Sequence, residues 1–213
     1  MQGIISAVRR NSLAENAGIK AGEKLCAVNG VSVHDIIELS YLVADEQIVL
    51  TIEDSECRQR QIVIEKYTDE ELGLEFEAAV FDGVTTCYNN CVFCFVDQMI
   101  PGMRESLYVR DDDYRLSFLY GNFITLTNMK EEDFEQIIKT HMSPLYISVH
   151  ATRPEVRCQM MNNRFAGELM SKINRLVEAG ISIHTQIVCC PGYNDGDCLL
   201  YTSDAADDMQ CVD

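Results

Sequence analysis

Apolar and polar residues follow a strand-and-turn rhythm over the first third of the chain. Ser12 is placed to cap a short helix from Leu13 to Ala17. Gly18 ends it, because glycine adopts the left-handed conformation after a helix without steric penalty. Gly22 marks a turn before a predicted strand, Lys24-Leu25-Cys26-Ala27-Val28. Asn29-Gly30 is the strongest short hairpin signal, since both residue types accept positive φ, and Val31 to Val33 resumes the strand. Asp35 then opens an amphipathic helix through Ile36, Ile37, Leu39, Ser40, Tyr41 and Leu42. Further β-like runs follow at Gln47 to Glu53 and Gln61 to Lys66.

From Phe81 onward strands and helices alternate, the pattern of a parallel sheet. Ala78-Ala79-Val80-Phe81 leads into a cysteine-rich loop, and Phe123-Ile124-Thr125-Leu126-Thr127 reads as a strand. Asn128 with Glu131 resembles a capping box for a helix bearing Phe134, Ile137 and Ile138 on one face. Pro144 precedes the strand Leu145 to His150. A helix striped by Leu169, Ile173, Leu176 and Val177 then stops at Gly180, ahead of a strand from Ile181 to Val188. Strands of purely parallel sheets are usually apolar on both faces, yet two of these alternate. Tyr146, Ser148 and His150 share one face, as do Ser182, His184 and Gln186. Such polar faces would line the inside of a curved sheet, with His150 at a C-terminal strand end, where β/α barrels collect their active sites. His150 and His184 are therefore candidate functional residues, set against an ordinary role as satisfied core histidines. The fold class predicted is α/β: a small β-rich module followed by an incomplete parallel β/α barrel.

Composition narrows the class. With 213 residues, of which 47% are hydrophobic, the chain can bury a core as one large or two small domains. No apolar stretch approaches the roughly 18 residues of a membrane span, and the N-terminus lacks a signal-peptide pattern. A net charge of −17 argues against nucleic-acid binding, which a basic face drives. Ten cysteines without an export signal point to a reducing cytoplasm rather than to disulfides. Asp111-Asp112-Asp113 suggests a divalent-ion site at first sight, but consecutive carboxylates point apart, and an ordinary loop is the expectation.

The candidate chemistry lies in Cys87-Tyr88-Asn89-Asn90-Cys91-Val92-Phe93-Cys94-Phe95. Three thiols so spaced can converge from one short loop on an iron–sulfur cluster, which cysteine thiolates hold. A 4Fe–4S cube held by three cysteines keeps one iron open for a small molecule. The competing readings are half of a zinc site or unrelated core thiols. Zinc usually wants paired short spacings, and adjacent Cys189 and Cys190 suit one tetrahedral ion badly. The spacing and the aromatic residue before the third cysteine resemble the signature of the radical S-adenosylmethionine (radical SAM) superfamily.

That resemblance implies a specific chemistry. Cys87, Cys91 and Cys94 would ligate three irons, S-adenosylmethionine would chelate the fourth, and Phe93 would lie near the adenine. The reduced cluster would cleave the cofactor to methionine and a 5′-deoxyadenosyl radical that abstracts hydrogen from an unknown substrate. In the superfamily a glycine-glycine-glutamate motif at the second strand holds the cofactor's amino group; Thr125-Leu126-Thr127-Asn128 occupies that region here with a different sequence. Phe93, Thr127, Asn128, Ser148 and His150 are the cofactor-side candidates, and a flavodoxin or ferredoxin is the kind of reductant implied.

Ser12 to Gly30 resembles bacterial PDZ domains closely, a match covering residues 1 to about 66. PDZ domains bind peptides by strand addition beside a helix, so a peptide or an intramolecular segment is the ligand implied. The family's carboxylate-binding glycine loop normally precedes this region; Leu72-Gly73-Leu74-Glu75-Phe76 looks like it but comes afterwards, as in a permuted or degenerate domain. Leu107 to Arg115, Tyr120 to Asn128, Ser148 to Thr152 and Pro191-Gly192-Tyr193-Asn194-Asp195 extend the resemblance to one bacterial family. It joins an N-terminal PDZ domain to a radical SAM domain and a C-terminal domain of unknown function. The expected domains are 1–78, PDZ-like; 79–197, the N-terminal part of a radical SAM domain; and 198–213, a foreign tail.

The tail is set apart because Cys198 to Asp207 reads like a translated sequencing adaptor, which leaves Cys198 and Cys211 no role. About four strand units precede it, against roughly eight in a full barrel. The full-length parent is therefore expected to be the enzyme, and this chain a fragment not competent by itself. The alternative function is a PDZ-type binding module carrying a structural or redox-sensing iron–sulfur cluster.

Overall fold

The computed structural model describes residues 3–200 and 202, and the chain divides into two units, Met1–Gly83 and Val84–Asp213. The foreign tail expected at 198–213, Cys211 included, lies mostly outside the described residues.

The first unit is an antiparallel sheet with short helices. Its strands are β1 (Gly3–Val8), β2 (Lys24–Val28), β3 (Val31–Ser32), β4 (Gln47–Glu53), β5 (Gln59–Glu65) and β6 (Leu74–Phe76), in the order β5-β4-β2-β1-β6 with β3 on β2. Helix α1 (Leu13–Asn16) is capped by the Ser12 hydroxyl, and α2 (Ile36–Leu42) by Asp35, whose carboxylate accepts Glu38 N–H at 2.7 Å. Asn29 and Gly30 turn the hairpin at φ of 50° and 79°. β4 alternates as a half-covered strand must, with Ile48, Leu50 and Ile52 fully buried. Each such side chain contributes about 1.5–3 kcal/mol relative to exposure.

Two corrections apply to this unit. The sequence reading assigned no element before Ser12, yet β1 is a central strand, flanked by β2 and β6. Leu74–Phe76 pairs antiparallel with β1, so a segment late in the chain lies beside the earliest strand. Gly73 makes that join. Its φ is +78°, and a Cβ there would sit 2.4 Å from Ser12 Cβ. Its carbonyl accepts Arg9 N–H at 2.8 Å, and the Leu72 carbonyl accepts Ala14 N–H at 3.0 Å.

The second unit begins with the irregular cysteine loop. It continues through α3 (Tyr114–Tyr120), α4 (Glu131–Thr140), β7 (Leu145–Ser148), α5 (Pro154–Met161), α6 (Leu169–Glu178) and β8 (Ile183–Gln186). β7 and β8 form a parallel ladder, Leu145 opposite Ile183 through Ser148 opposite Gln186. The unit is thus mixed α/β, and its parallel pairing among the described residues is this ladder plus one bridge, Ile124 to Ile147.

The predicted strand Phe123–Thr127 contracts to that bridge. Leu126 has φ of +58°, which turns the chain out of extended geometry. Asp112 takes both the N–H and the hydroxyl of Thr125, at 2.5 and 2.6 Å. Asn128 does not cap α4: its side chain donates to the Thr86 carbonyl and to Asp112. The Lys130 N–H instead finds Asp133 at 2.8 Å, one link of a capping box shifted by two residues. Leu169, Ile173 and Leu176 are buried as their helical spacing predicts, whereas Val177 is half exposed. Helix α5, which the sequence reading did not assign, carries the buried Arg157. Among the described residues no helix is long and apolar enough to cross a membrane.

Candidate functional site

Backbone hydrogen bonds shape the cysteine loop from both sides. Cys87 N–H donates to the Arg110 carbonyl at 2.7 Å, and a tight turn links Cys94 N–H to Cys91 O at 3.1 Å. Asn90 and Val92 donate to the carbonyls of Met161 and Met160. Those carbonyls end α5 and have no partner within their own helix, so the helix end and the loop satisfy each other.

Cys87, Cys91 and Cys94 are free, half-buried thiols, and all three line one cavity of about 610 Å³. Burial, and then the neighbouring Cys87 and Cys94, push the Cys91 thiol up to about 12. Burial likewise raises Cys87, opposed by hydrogen bonds from Asn89. A thiolate at Cys91 is disfavoured in these surroundings, and a bound cationic centre would relieve this by drawing off the proton. Arg110, held charged by Asp97 and by a contact with Cys94, lies on the same wall. Among the described residues no three His, Cys, Asp or Glu side chains gather tightly enough for one metal ion. Three thiols that line one cavity fit a polynuclear cluster, in which each thiolate would meet a different iron.

His150 also lines the cavity. It is buried, sits at φ of +62° just beyond β7, and its ring lies 4.4 Å from that of Phe93. A non-glycine residue in that conformation costs of order 1–3 kcal/mol, a strain concentrated at functional sites. Asn194 holds it there: its amide donates to the carbonyls of His150 and Val188 at 2.7 and 2.9 Å and accepts Cys190 N–H at 2.7 Å. The motif Pro191 to Asp195 thus acts on His150. Val188 N–H donates to His150 Nδ1 at 3.2 Å, so the proton of the neutral ring sits on Nε2.

Burial, then the charge of Arg157, lowers the His150 pKa from 6.5 to about 3. The unfolded chain therefore binds a proton below 6.5 that the folded chain refuses. Stability falls as pH drops through that window by about 1.4 kcal/mol per pH unit from this group. His150→Gln, which cannot titrate but can accept from Val188, should flatten the acid limb of a urea-unfolding series by that amount. Equal pH slopes for the variant and the parent would refute the burial argument.

The other candidates divide. Phe93 and Ser148 line the cavity, as does Gln186. Thr127 and Asn128, placed on the cofactor side by sequence, do not line it; Thr125 does. Thr127 and Asn128 stand behind that wall, bonded to Asn89 and Asp112 respectively. His184 stacks on Tyr146 at 4.8 Å, outside the cavity lining. The three consecutive aspartates do point apart: Asp111 accepts from Asn122, Asp112 from Thr125 and Asn128, and Asp113 from Arg115 and Thr85. Cys198 is buried with Ala151, Met160 and Cys190.

Sequence reasoning missed Asn89 and Arg157. The guanidinium of Arg157 is fully buried and donates to the carbonyls of Val149, Ala166, Thr125 and Ser148 at 2.6–3.0 Å. It thereby ties β7, the Thr125 segment and α5 together beneath the cavity. Nothing in Pro154-Glu155-Val156-Arg157-Cys158 marks this, because the residue is recognised by carbonyls outside its own helix.

An antiparallel PDZ-like unit preceding a mixed α/β unit with a three-cysteine cavity defines a class of protein. Residues 4–54 match the family model described as PDZ domain, and residues 66–211 match that described as Radical SAM-like domain. The second match spans more than half of the chain, and the chain belongs to that family. It takes in residues 198–211, set apart above as foreign. No curated protein matches the chain.

Proposed function

We propose that the second unit holds a 4Fe–4S cluster on Cys87, Cys91 and Cys94 and receives S-adenosylmethionine in the adjoining cavity. The observation that carries this reading is three free thiols from one loop lining a single cavity in a radical SAM-like chain. When bound and reduced, such a cluster supplies the electron that cleaves the sulfonium to methionine and a 5′-deoxyadenosyl radical, which takes hydrogen from a substrate.

The chain's own residues have defined tasks in this reading. Cys87, Cys91 and Cys94 would hold the cluster and leave it a free position for the cofactor. Phe93 offers an apolar face, His150 presents a fixed Nε2–H donor, and Ser148 a hydroxyl. Thr127 and Asn128 act one step back, bracing Thr125 on the wall. The apolar side formed by Phe95, Val96, Val109 and Phe123 limits water at the reacting centre, the protein's share of cofactor chemistry. We read the β7–β8 ladder and the Ile124 bridge as part of a β/α barrel wall, with the site at the C-terminal strand ends. The PDZ-like unit would dock a peptide or a segment of the same protein, and a flavodoxin or ferredoxin would reduce the cluster in the cytoplasm.

Anaerobic reconstitution with iron and sulfide tests this. It should give about four irons per chain and an air-sensitive thiolate-to-iron absorbance. Added S-adenosylmethionine should then change the electron paramagnetic resonance spectrum of the reduced cluster. A spectrum indifferent to the cofactor would overturn the reading.

A further inference from the structure

Asn89, between the first two cysteines, is only 3% exposed, and its side-chain amide joins separate parts of the unit. Nδ2 lies 3.3 Å from Cys87 Sγ, 3.1 Å from Thr125 Oγ1 and 2.9 Å from Thr127 Oγ1, while Oδ1 faces Asn163 Nδ2 at 2.6 Å. The bonding pattern itself decides which end is nitrogen. Phe165 N–H, which can only donate, reaches Asn163 Oδ1 at 2.9 Å. Asn163 must then turn its amino group toward Asn89, Asn89 must answer with oxygen, and the amino group of Asn89 faces Cys87. The Thr125 side agrees: its hydroxyl proton goes to Asp112 at 2.6 Å, so it can only accept from Asn89. The two amide hydrogens are enough for the thiol and for the threonine pair, whose hydroxyls lie 2.8 Å apart.

We propose that Asn89 is a positioning residue for the cluster, holding Cys87 through an N–H···S bond that raises the cluster's reduction potential. This rests on the cluster reading above. Reduction adds an electron whose charge spreads onto the ligating sulfurs, and a donor to an anionic acceptor binds more strongly as that charge grows. The amide therefore stabilises the reduced form more than the oxidised one, a lever recognised for iron–sulfur sites. Its remaining bonds fix the amide and leave it no freedom to turn away.

Asn89→Asp keeps the shape, removes the donor and adds a carboxylate, and both changes disfavour reduction. The reconstituted variant should show a reduction equilibrium about tenfold less favourable, which for one electron is about 59 mV more negative. Asn163→Ala removes a structural tie but leaves the donor in place, so its potential should stay with the wild type even if it is less stable. A wild-type potential in Asn89→Asp at full iron content would overturn the inference. Should the variants hold no cluster, the wild type decides: reduced protein labelled with 15N only in asparagine side-chain amides should show a weak 15N coupling to the cluster. Absence of that coupling would refute the bond, whereas a wild type that takes up no cluster would remove the proposed function and this inference together.

Discussion

Cys91→Ala should leave the chain unable to retain its cluster, with iron after anaerobic reconstitution at about a tenth of wild type or less. Cys91 is the middle thiol of the loop, and its pKa is lifted by burial first and then by both flanking thiols. Among the described residues no other cysteine lines the cavity. Cys190 and Cys198 are buried in an apolar cluster packed against Phe93 and Val188, and Cys158 turns to the Arg164 carbonyl. None of these lines the cavity. The loop itself should survive, because its shape comes from backbone bonds to Arg110, Met160 and Met161 rather than from the thiol. Circular dichroism should therefore match the parent while the iron absorbance is lost. Undiminished iron in this variant would sink the ligand assignment.

Arg157→Met should destabilise the second unit by about 4 kcal/mol or more, a large share of the roughly 5–15 kcal/mol that domains possess. Methionine replaces the aliphatic stem but none of the donors. Four carbonyls then lose this donor, that of Val149 keeping the Ala151 N–H, and each buried acceptor left alone costs about 1–3 kcal/mol. Burial lowers the Arg157 pKa to about 10, with Asp112 and Cys91 pulling it back up, so the group is charged at neutral pH. Arg157→Lys should recover part of the loss, since an ammonium brings donors without the planar fork. Urea unfolding followed by circular dichroism measures both, and a cost below about 1 kcal/mol for Arg157→Met would mean that water replaces the guanidinium.

Legibility tracked how local each determinant is. Asn29-Gly30, Ser12 and Asp35 act within a few residues of themselves, and each does in the structure what its chemistry predicts. Asn128 and Glu131 have the spacing of a capping box, but Asp112 lies within reach and takes the Asn128 amide. The expected Phe123–Thr127 strand failed for the same reason, Thr125 being claimed by Asp112 before a ladder could extend. Of the two threonines, Thr125 lines the cavity and Thr127 does not, the chain turning out of extended geometry at Leu126 between them.

The sequence alone determined the cysteine loop, the hairpin and caps of the PDZ-like unit, the apolar stripe of α6 and the candidacy of His150. These depend on side-chain type at fixed short spacing, where steric and hydrogen-bonding rules apply without knowledge of the rest. Only the tertiary structure decided that Leu74–Phe76 lies beside β1, that Asn194 holds His150 in place, and that Arg157 and Asn89 brace the cavity. Their partners are backbone carbonyls and side chains that belong to other segments of the fold. A buried amide or guanidinium is stable only where such partners converge, and convergence is a property of the folded chain.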